Sequence, residues 1–276
     1  MSKLIFEAKR QPQAPVHLEP LSPQNLLDKK IAEIAKFEVW EGNRRAKLGT
    51  LFRIKEDRSD ASQEGSIEVA GDLSKARRIG YKMAAGTIRI RGHGGLYIGE
   101  SMSGGSIVIE GDAGSWLGSN MKGGAIDVLG NAGDLVGAAS RGATKGMTGG
   151  SIVIRGNAGS EIGEWMLSGT IRISGSTEMF PGVHMLGGAI HIAGDCPGRA
   201  GAHMKGGKIV VSGNLPAVLP SFSFEEIRGQ TKIEKDSLDG PFYVFSGDNN
   251  EDGNGRIFIS VPRNPQLKWC EKFLET

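Results

Sequence analysis

The fold is decided by Gly105-Ser106-Ile107-Val108-Ile109-Glu110-Gly111-Asp112-Ala113-Gly114-Ser115-Trp116-Leu117-Gly118-Ser119-Asn120-Met121, because the same frame returns 19 residues later from Gly124. Working outward, units open at Gly65, Gly86, Gly105, Gly124, Gly150, Gly169, Gly188 and Gly207. Five of the seven intervals are 19 residues; the first is 21 and the fourth is 26. A period near 20 marks a stack of supersecondary units, none of which can bury its apolar face alone.

Within each unit, the second and fourth residues after the opening glycine are Ile or Val: Ile67/Val69, Ile88/Ile90, Ile107/Ile109, Ile126/Val128, Ile152/Ile154, Ile171/Ile173, Ile190/Ile192 and Ile209/Val211. Alternation of this kind makes a strand with one buried face. Glycine follows at the sixth place, from Gly71 to Gly213, and then a turn former: Asp72, His93, Asp112, Asn131, Asn157, Ser176, Asp195 or Asn214. Stacked, these turn residues are expected to form a side-chain hydrogen-bond ladder. A second short strand is expected next, with Ile79, Ile98, Leu117, Val136, Ile162, Pro181 or Ala200 inward and a glycine closing it. Met83, Met102, Met121, Met147, Met166, Met185 and Met204 read as a third inward column, since thioethers fill irregular gaps. A methionine ladder for a soft metal is the alternative. The resulting reading is an all-β chain, a single-stranded parallel β-helix on the order of 35–40 Å long at ~4.8 Å per layer. Corner glycines such as Gly118 are expected to tolerate valine far less well than a surface position does.

Composition agrees with this and excludes other classes. Glycine is 43 of 276 residues, yet it is not every third residue and proline is only 11, so the chain is not collagen-like. The net charge of +2 gives no nucleic-acid or membrane footprint. No signal peptide or span of about 20 apolar residues is expected. Cys196 and Cys270 are too few to ligate an iron–sulfur cluster, and a disulfide between them is disfavoured in a cytosolic protein.

Three divisions are expected: residues 1–64 as an arm, short helix and capping hairpin; 65–214 as the repeat; 215–276 as a cap, hairpin and tail. Ser22-Pro23 and the spacing of Leu26, Leu27, Ile31, Ile34 and Ala35 predict one amphipathic helix over 23–36. Residues 37–40 and 47–54 read as a hairpin over the first unit, because an open sheet edge must be covered. Past Asn214 the period fails. Residues 215–224 are expected to fold over the last unit, and 242–245 and 256–261 to form a hairpin with a long acidic loop. Residues 262–276 are expected to be a docking tail.

The search for chemistry is mostly negative. GxxxxGK[ST], HExxH and GxSxG are absent, and no GxGxxG opens a helix. His184 and His203 share a place in adjacent units, so they are expected to stack; a metal site or a solvated, partner-facing pair could follow. The turn column mixes Asp, Asn, His and Ser, which does not suit calcium. Glu100 and Glu164 are separated by units without an acid, so no paired carboxylates are expected for glycoside chemistry. One column stands out: Arg78, Tyr97, Trp116, Leu135, Glu161, Phe180 and Arg199. Alternation points it outward as an exposed apolar stripe, to be met by a partner or by a terminal segment. The long interval places a seven-residue insertion, about 140–146 with Arg141 and Lys145, halfway along one edge; it is a tolerated loop or a partner contact.

Taken together, Lys47-Leu48-Gly49, Lys75-Ala76-Arg77-Arg78-Ile79-Gly80, Asp112-Ala113-Gly114-Ser115-Trp116, the Arg141-to-Met147 insertion, Phe180-Pro181-Gly182-Val183-His184-Met185 and Gly240-Pro241-Phe242-Tyr243 resemble the C subunit of formylmethanofuran dehydrogenase. The glycine repeat alone is also similar to the C-terminal domain of the glutamate synthase large subunit and to the C subunit of the bacterial formyltransferase/hydrolase complex. The resemblance implies a right-handed β-helix by analogy and a scaffold role without catalytic residues in a cytoplasmic archaeal complex. There, a tungsto- or molybdopterin site on the B subunit reduces CO2 to formate. A binuclear metal site on the A subunit condenses formate with methanofuran, and iron–sulfur clusters in ferredoxin-like subunits supply electrons. Implied partners are the A and B subunits, together with the D subunit and the ferredoxin-like chains. The interface expected on this chain is Arg78, Tyr97, Trp116, Leu135, Phe180, Arg141 and Lys145. Two other readings stand beside it: a scaffold in a formyltransferase/hydrolase complex without redox chemistry, and a free-standing β-helix enzyme acting on a polysaccharide, which an acidic groove would favour.

Overall fold

The structure, a computed structural model, describes residues 3–57 and 65–274. The parts of the expected terminal divisions at 1–2, 58–64 and 275–276 lie outside the described residues. In chain order the elements are β1 (Lys3–Ala8), β2 (Val16–His17), α1 (Pro23–Leu26), α2 (Ile31–Ile34), β3 (Glu38–Glu41), β4 (Arg44–Lys47), α3 (Leu48–Leu51) and β5 (Phe52–Asp57). Then come β6 (Ser66–Ala70), β7 (Ala76–Arg77), β8 (Thr87–Arg91), β9 (Ser106–Ile109), β10 (Ala125–Val128), β11 (Thr148–Ile154), β12 (Ser168–Ile173), β13 (Ala189–Ile192) and β14 (Lys208–Val211). The chain ends with β15 (Ser223–Ile233), β16 (Asp236–Gly247), β17 (Gly255–Ser260) and a 3-10 segment over Pro265–Phe273.

The eight repeat strands pair parallel and in register, so that Ile67, Ile88, Ile107, Ile126, Ile152, Ile171, Ile190 and Ile209 lie one above the next. Both aliphatic columns are buried. The seven methionines are fully buried with them. Each fills a space made by glycine: a Cβ added at Gly150 would meet the Met121 methyl at 2.7 Å, and one at Gly188 the Met166 methyl at 2.7 Å. The methionines therefore act as core side chains against a glycine one layer on.

The turn column forms the expected ladder, with one difference in form. Each side chain accepts from the backbone N–H one layer on, rather than from another side chain. His93 Nδ1 accepts from Asp112 N (3.0 Å), Asp112 Oδ1 from Asn131 N (2.7 Å), and Asn131 Oδ1 from Asn157 N (2.9 Å). Asn157 Oδ1 accepts from Ser176 N (2.8 Å), Ser176 Oγ from Asp195 N (2.9 Å), and Asp195 Oδ1 from Asn214 N (2.7 Å). Backbone N–H groups that the turn would otherwise leave unmet are thus satisfied along the whole column.

The stack does not stop at 65 and 214. β1 pairs parallel to β6, with Leu4 opposite Ile67 and Phe6 opposite Val69, and β17 pairs parallel to β14, with Ile257 opposite Ile209. Antiparallel strands then close both ends: β5 on β1, and β16 followed by β15 on β17. The order of the large sheet is β15-β16-β17-β14-β13-β12-β11-β10-β9-β8-β6-β1-β5. It is β1, not the β3–β4 hairpin, that covers the first unit; the hairpin belongs to a small sheet ordered β4-β3-β2-β7.

Four other expectations are corrected. Residues 23–36 form two single turns, because Lys30 is extended (ψ 146) and starts a new helix at Ile31. The apolar spacing is real, since both turns bury a residue, Leu26 and Ile34. Residues 47–54 are broken by α3, whose Gly49 packs where a Cβ would lie 2.9 Å from the Ala35 Cβ. The second short strand exists only as β7, with isolated bridges at Arg77–Leu96 and Ala113–Ala132. Left-handed residues flank the inward side chain, as Tyr97 (φ 58) and Gly99 (φ 69) flank Ile98, so the backbone cannot run extended. Finally, β15 follows the proline-rich stretch. Its hairpin with β16 places Ile233, Phe242 and Val244 in a second apolar cluster with Val210 and Phe258.

Gly118 and Gly142 both have left-handed φ (62 and 81), but a Cβ at Gly118 would meet the Ile152 Cδ1 at 2.5 Å and one at Gly142 meets nothing within 4 Å. The Gly142→Ala variant is expected to lose about 1–2 kcal/mol from the backbone alone. The Gly118→Ala variant is expected to lose about 1–3 kcal/mol more, from overpacking. Urea denaturation of the two variants checks this; equal losses would show that the core yields freely.

Candidate partner interface

The residues of interest stand on left-handed corners of the coil. Arg78, Tyr97, Trp116, Leu135, Glu161, Phe180 and Arg199 have φ between 56 and 65. A second column four residues on, Lys82, Ser101, Asn120, Trp165, His184 and His203, has φ between 52 and 58. Left-handed φ costs an L-residue about 1–2 kcal/mol, so these positions persist because the surrounding layers impose them. The corner, not strand alternation, turns these side chains outward.

In the first column, Arg78, Tyr97, Trp116 and Leu135 occupy successive layers. The Tyr97 and Trp116 rings stack at 5.0 Å with 13° between planes, and the Arg78 guanidinium lies 5.8 Å over Tyr97. Phe180 and Arg199 are set apart by Glu161 and pair with each other at 5.3 Å. The stripe is thus broken in two. Nor is it fully exposed: Tyr97, Trp116, Leu135 and Phe180 are half-buried, because ring stacks on ring and the insertion folds over the middle. The large exposed apolar side chains are elsewhere and include Trp40, Leu129, Leu186, Trp269 and Phe273.

The insertion is pinned at its base by Asn120. The Asn120 Oδ1 accepts from Ser140 N (3.0 Å) and Ser140 Oγ, and its Nδ2 donates to Lys145 O (2.7 Å). Gly146 N donates to Trp165 O (2.7 Å). Lys145 itself is exposed and contributes its carbonyl. Arg141 lies 5.3 Å over the Trp116 ring. Between insertion and coil lies a cleft of about 470 Å³, lined by Trp116, Leu135, Trp165, Glu161, Glu164 and residues 139–144. Burial raises the Glu164 carboxyl above its ordinary range, and the Glu161 charge raises it further. Two carboxylates therefore share this cleft. The sequence reading missed the pair because it compared like positions between units, whereas this pair lies three residues apart on one turn.

The two histidines stack as expected. His184 and His203 are 4.9 Å apart, and Trp165 covers the other side of His184 at 4.4 Å. Burial lowers the His184 pKa, with His203 adding to the effect. Among the described residues, no three His, Cys, Asp or Glu are grouped to hold a metal. The outer end of the stack meets the acidic loop. His203 N donates to Asp248 Oδ2 (3.0 Å), and its Nδ1 lies 2.9 Å from Glu251 Oε1. Burial would raise Asp248, but hydrogen bonds from Ser221, His203 and Asn250 hold it below its usual value. The His203 hydrogen bond lowers Glu251 likewise. Cys196 and Cys270 are separate, buried thiols; burial raises both, Cys270 to about 11.

No protein-family model matches the chain. It is similar to curated proteins named as the C subunit of formylmethanofuran dehydrogenase. The tungsten-containing form 2 subunit of Methanothermobacter wolfeii is 39% identical over 98 residues, which is 36% of each chain. The molybdenum-containing form 1 subunit of Methanosarcina barkeri is 34% identical over 98 residues, 36% of this chain and 33% of that one. The matched stretch thus spans about a third of these relatives' length. Among solved structures, a chain of the formyltransferase/hydrolase complex from Methylorubrum extorquens, in complex with methylofuran, is similar with a TM-score of 0.82 and 27% identity. That match covers 93% of this chain and 99% of the other. No helix among the described residues is long and apolar enough to cross a membrane.

Because Asp248 and Glu251 are held below their usual values, their attachment of the acidic loop is fully present above the ordinary carboxylate range near 4 and is lost as pH falls through their lowered values. Hydrogen-exchange protection of the amides of residues 250–254, corrected for intrinsic rates, is expected to fall selectively between pH 5 and roughly pH 2–3, ahead of the core strands. Protection that stays constant over that range would contradict the assignment.

Proposed function

We propose that this chain is a non-catalytic scaffold subunit of a formylmethanofuran dehydrogenase, the complex that interconverts CO2 plus methanofuran and formylmethanofuran through formate. The observation that carries the reading is the full-length structural likeness to a chain of a multi-subunit formyl-handling complex, joined to the sequence similarity to the C subunit of formylmethanofuran dehydrogenase. The chemistry of the site agrees: its conspicuous residues are stacked rings, arginines and a cleft, which are the materials of recognition. In this reading the coils close as a single-stranded parallel β-helix, right-handed by analogy. Support comes from the hydrogen bonds that join consecutive coils at the strand, at the turn and at the corners.

The cofactors then belong to partners: tungsto- or molybdopterin, iron–sulfur clusters and a binuclear metal site on other subunits of a cytoplasmic hetero-oligomer. The A and B subunits would be the principal neighbours, with the D subunit and ferredoxin-like chains beyond them. A second reading is favoured by the Methylorubrum likeness: the same scaffold in a formyltransferase/hydrolase complex that does no redox chemistry. A polysaccharide-acting enzyme is disfavoured. Glu161 and Glu164 come from one turn rather than flanking a bond, and Arg141 lies on the Trp116 ring where a sugar would stack.

Purification of the native complex through this chain is expected to give a large hetero-oligomer containing tungsten or molybdenum. Absence of both metals from an intact complex would select the hydrolase reading. A monomer of 29.3 kDa with hydrolase activity would overturn the scaffold reading. The Trp116→Asp variant is expected to weaken assembly by about tenfold or more, as removal of an interface aromatic does, while its melting transition stays cooperative. Unchanged assembly would remove the Tyr97–Trp116–Leu135 segment from the interface.

A further inference from the structure

The repeat carries its own internal comparison. Glu100 and Glu164 hold the same place in their coils, each 14 residues after an opening glycine. At Glu100 the charge is answered by an arginine from the layer before. Arg78 Nε lies 2.8 Å from Glu100 Oε2, and its Nη1 lies 3.4 Å from Glu19 Oε1. The same guanidinium lies 5.5 Å over Tyr81 and 5.8 Å over Tyr97. The kit is two carboxylates, two aromatic rings and one arginine.

At Glu164 the kit recurs without its arginine. The position matching Arg78 is Leu135. Trp116 and Trp165 supply the rings, and Glu161 and Glu164 the carboxylates, around a cleft of about 470 Å³. Among the described residues, neither carboxylate has an ion pair or a hydrogen bond from any group of the chain. Arg141, the nearest candidate, rests over Trp116 at 5.3 Å and forms no ion pair with either. Burial and mutual repulsion already disfavour the charged form of Glu164, so a cation entering the cleft relieves both.

We propose that this cleft is the receptor for an arginine side chain of a partner protein. The guanidinium enters beside the indoles and pairs with Glu161 and Glu164 as Arg78 pairs with Glu19 and Glu100. A planar, weakly hydrated cation suits a slot with aromatic walls and two acceptors better than a lysine ammonium does. Two carboxylates from one turn, walled by indoles, give a divalent metal too few oxygens. That the arginine comes from a protein rests on the scaffold reading; the preference of the cleft for guanidinium does not.

The test begins on the full chain alone. Tryptophan fluorescence is titrated with N-acetyl-arginine amide, and with the citrulline and lysine counterparts. A saturable change specific to the arginine probe is expected. It should weaken about tenfold or more in the Glu161→Gln/Glu164→Gln double variant, since a lost charge-assisted pair is worth about 1.5–3 kcal/mol. Trp40 and Trp269 are exposed and away from the cleft, so the difference between chain and variant isolates Trp116 and Trp165. No saturable response, an equal response to citrulline, or a response only to a neutral oligosaccharide overturns the proposal. If the double variant melts early, the arginine-against-citrulline comparison on the unaltered chain decides. In the purified complex, the double variant is expected to dissociate at about tenfold higher concentration. Undiminished assembly overturns the assignment to a partner arginine while leaving the scaffold reading intact. Failure of the chain to purify with any partner sinks that reading, and the titration still decides what the cleft binds.

Discussion

Everything in this molecule depends on the in-register hydrogen bonding of each coil to the next at one strand spacing, ~4.8 Å. That constraint turns every position of the repeat into a column, and a column is stable only if its residue type packs on itself. Isoleucine stacks on isoleucine inside, methionine methyls fill the spaces above glycine, and Asp, Asn, Ser or His caps the N–H of the next turn. The one large departure from the 19-residue period falls at the second corner column, between Asn120 and Trp165. There the extra residues leave the stack as a loop, and the strands on either side, β10 and β11, still pair in register.

The same constraint explains why bulky residues stand in left-handed conformations. A corner must turn sharply in every layer, and glycine does so at the inner corners, as at Gly118 (φ 62). At the outer corners the side chain points away from the core, where Tyr97 stacks on Trp116 and Trp165 on His184 and His203. Stacking of about 0.5–1.5 kcal/mol per aromatic pair offsets part of the backbone strain. These columns are free to vary in chemistry from layer to layer, which is where recognition can be written without disturbing the core.

What could be read from the sequence follows from this division. The aliphatic alternation, the glycines, the buried methionines and the turn ladder were legible, because each is forced at every repeat. The flanking layers were not. In β1 and β17 the inward residues Leu4, Phe6, Ile257 and Ile259 alternate correctly, yet neither strand carries the glycine frame, and their pairing depends on which edge remains open. The second strand was misread because alternation looks the same whether the backbone is extended or kinked at left-handed corners. The candidate stripe was legible as a column, but its break at Glu161 and its cover by Arg141 depend on packing that sequence spacing does not contain. Glu161 and Glu164 were visible as residues and invisible as a pair.

The sides of the stack differ in what they leave unsatisfied, and that difference locates the interface. On the outer sheet face at β8 to β11, charges answer one another within the chain: Arg89 with Glu110, Arg91 with Glu68 and Glu110, and Arg155 with Asp127 through two contacts of 3.1–3.2 Å. At β12 to β14 the β15–β16 hairpin covers the same face, with Arg172 paired to Asp236 and Lys208 donating to Lys232 O. The ends are closed by antiparallel strands, which removes the bare parallel edge that would otherwise recruit other chains. The turn edge spends its acceptors on its own backbone. The corner columns keep rings half-covered and, at Glu161 and Glu164, two neighbouring carboxylates without a counter-ion among the described residues. A surface that has met its own needs elsewhere and left them open at one line of corners is built to be completed by another chain along that line.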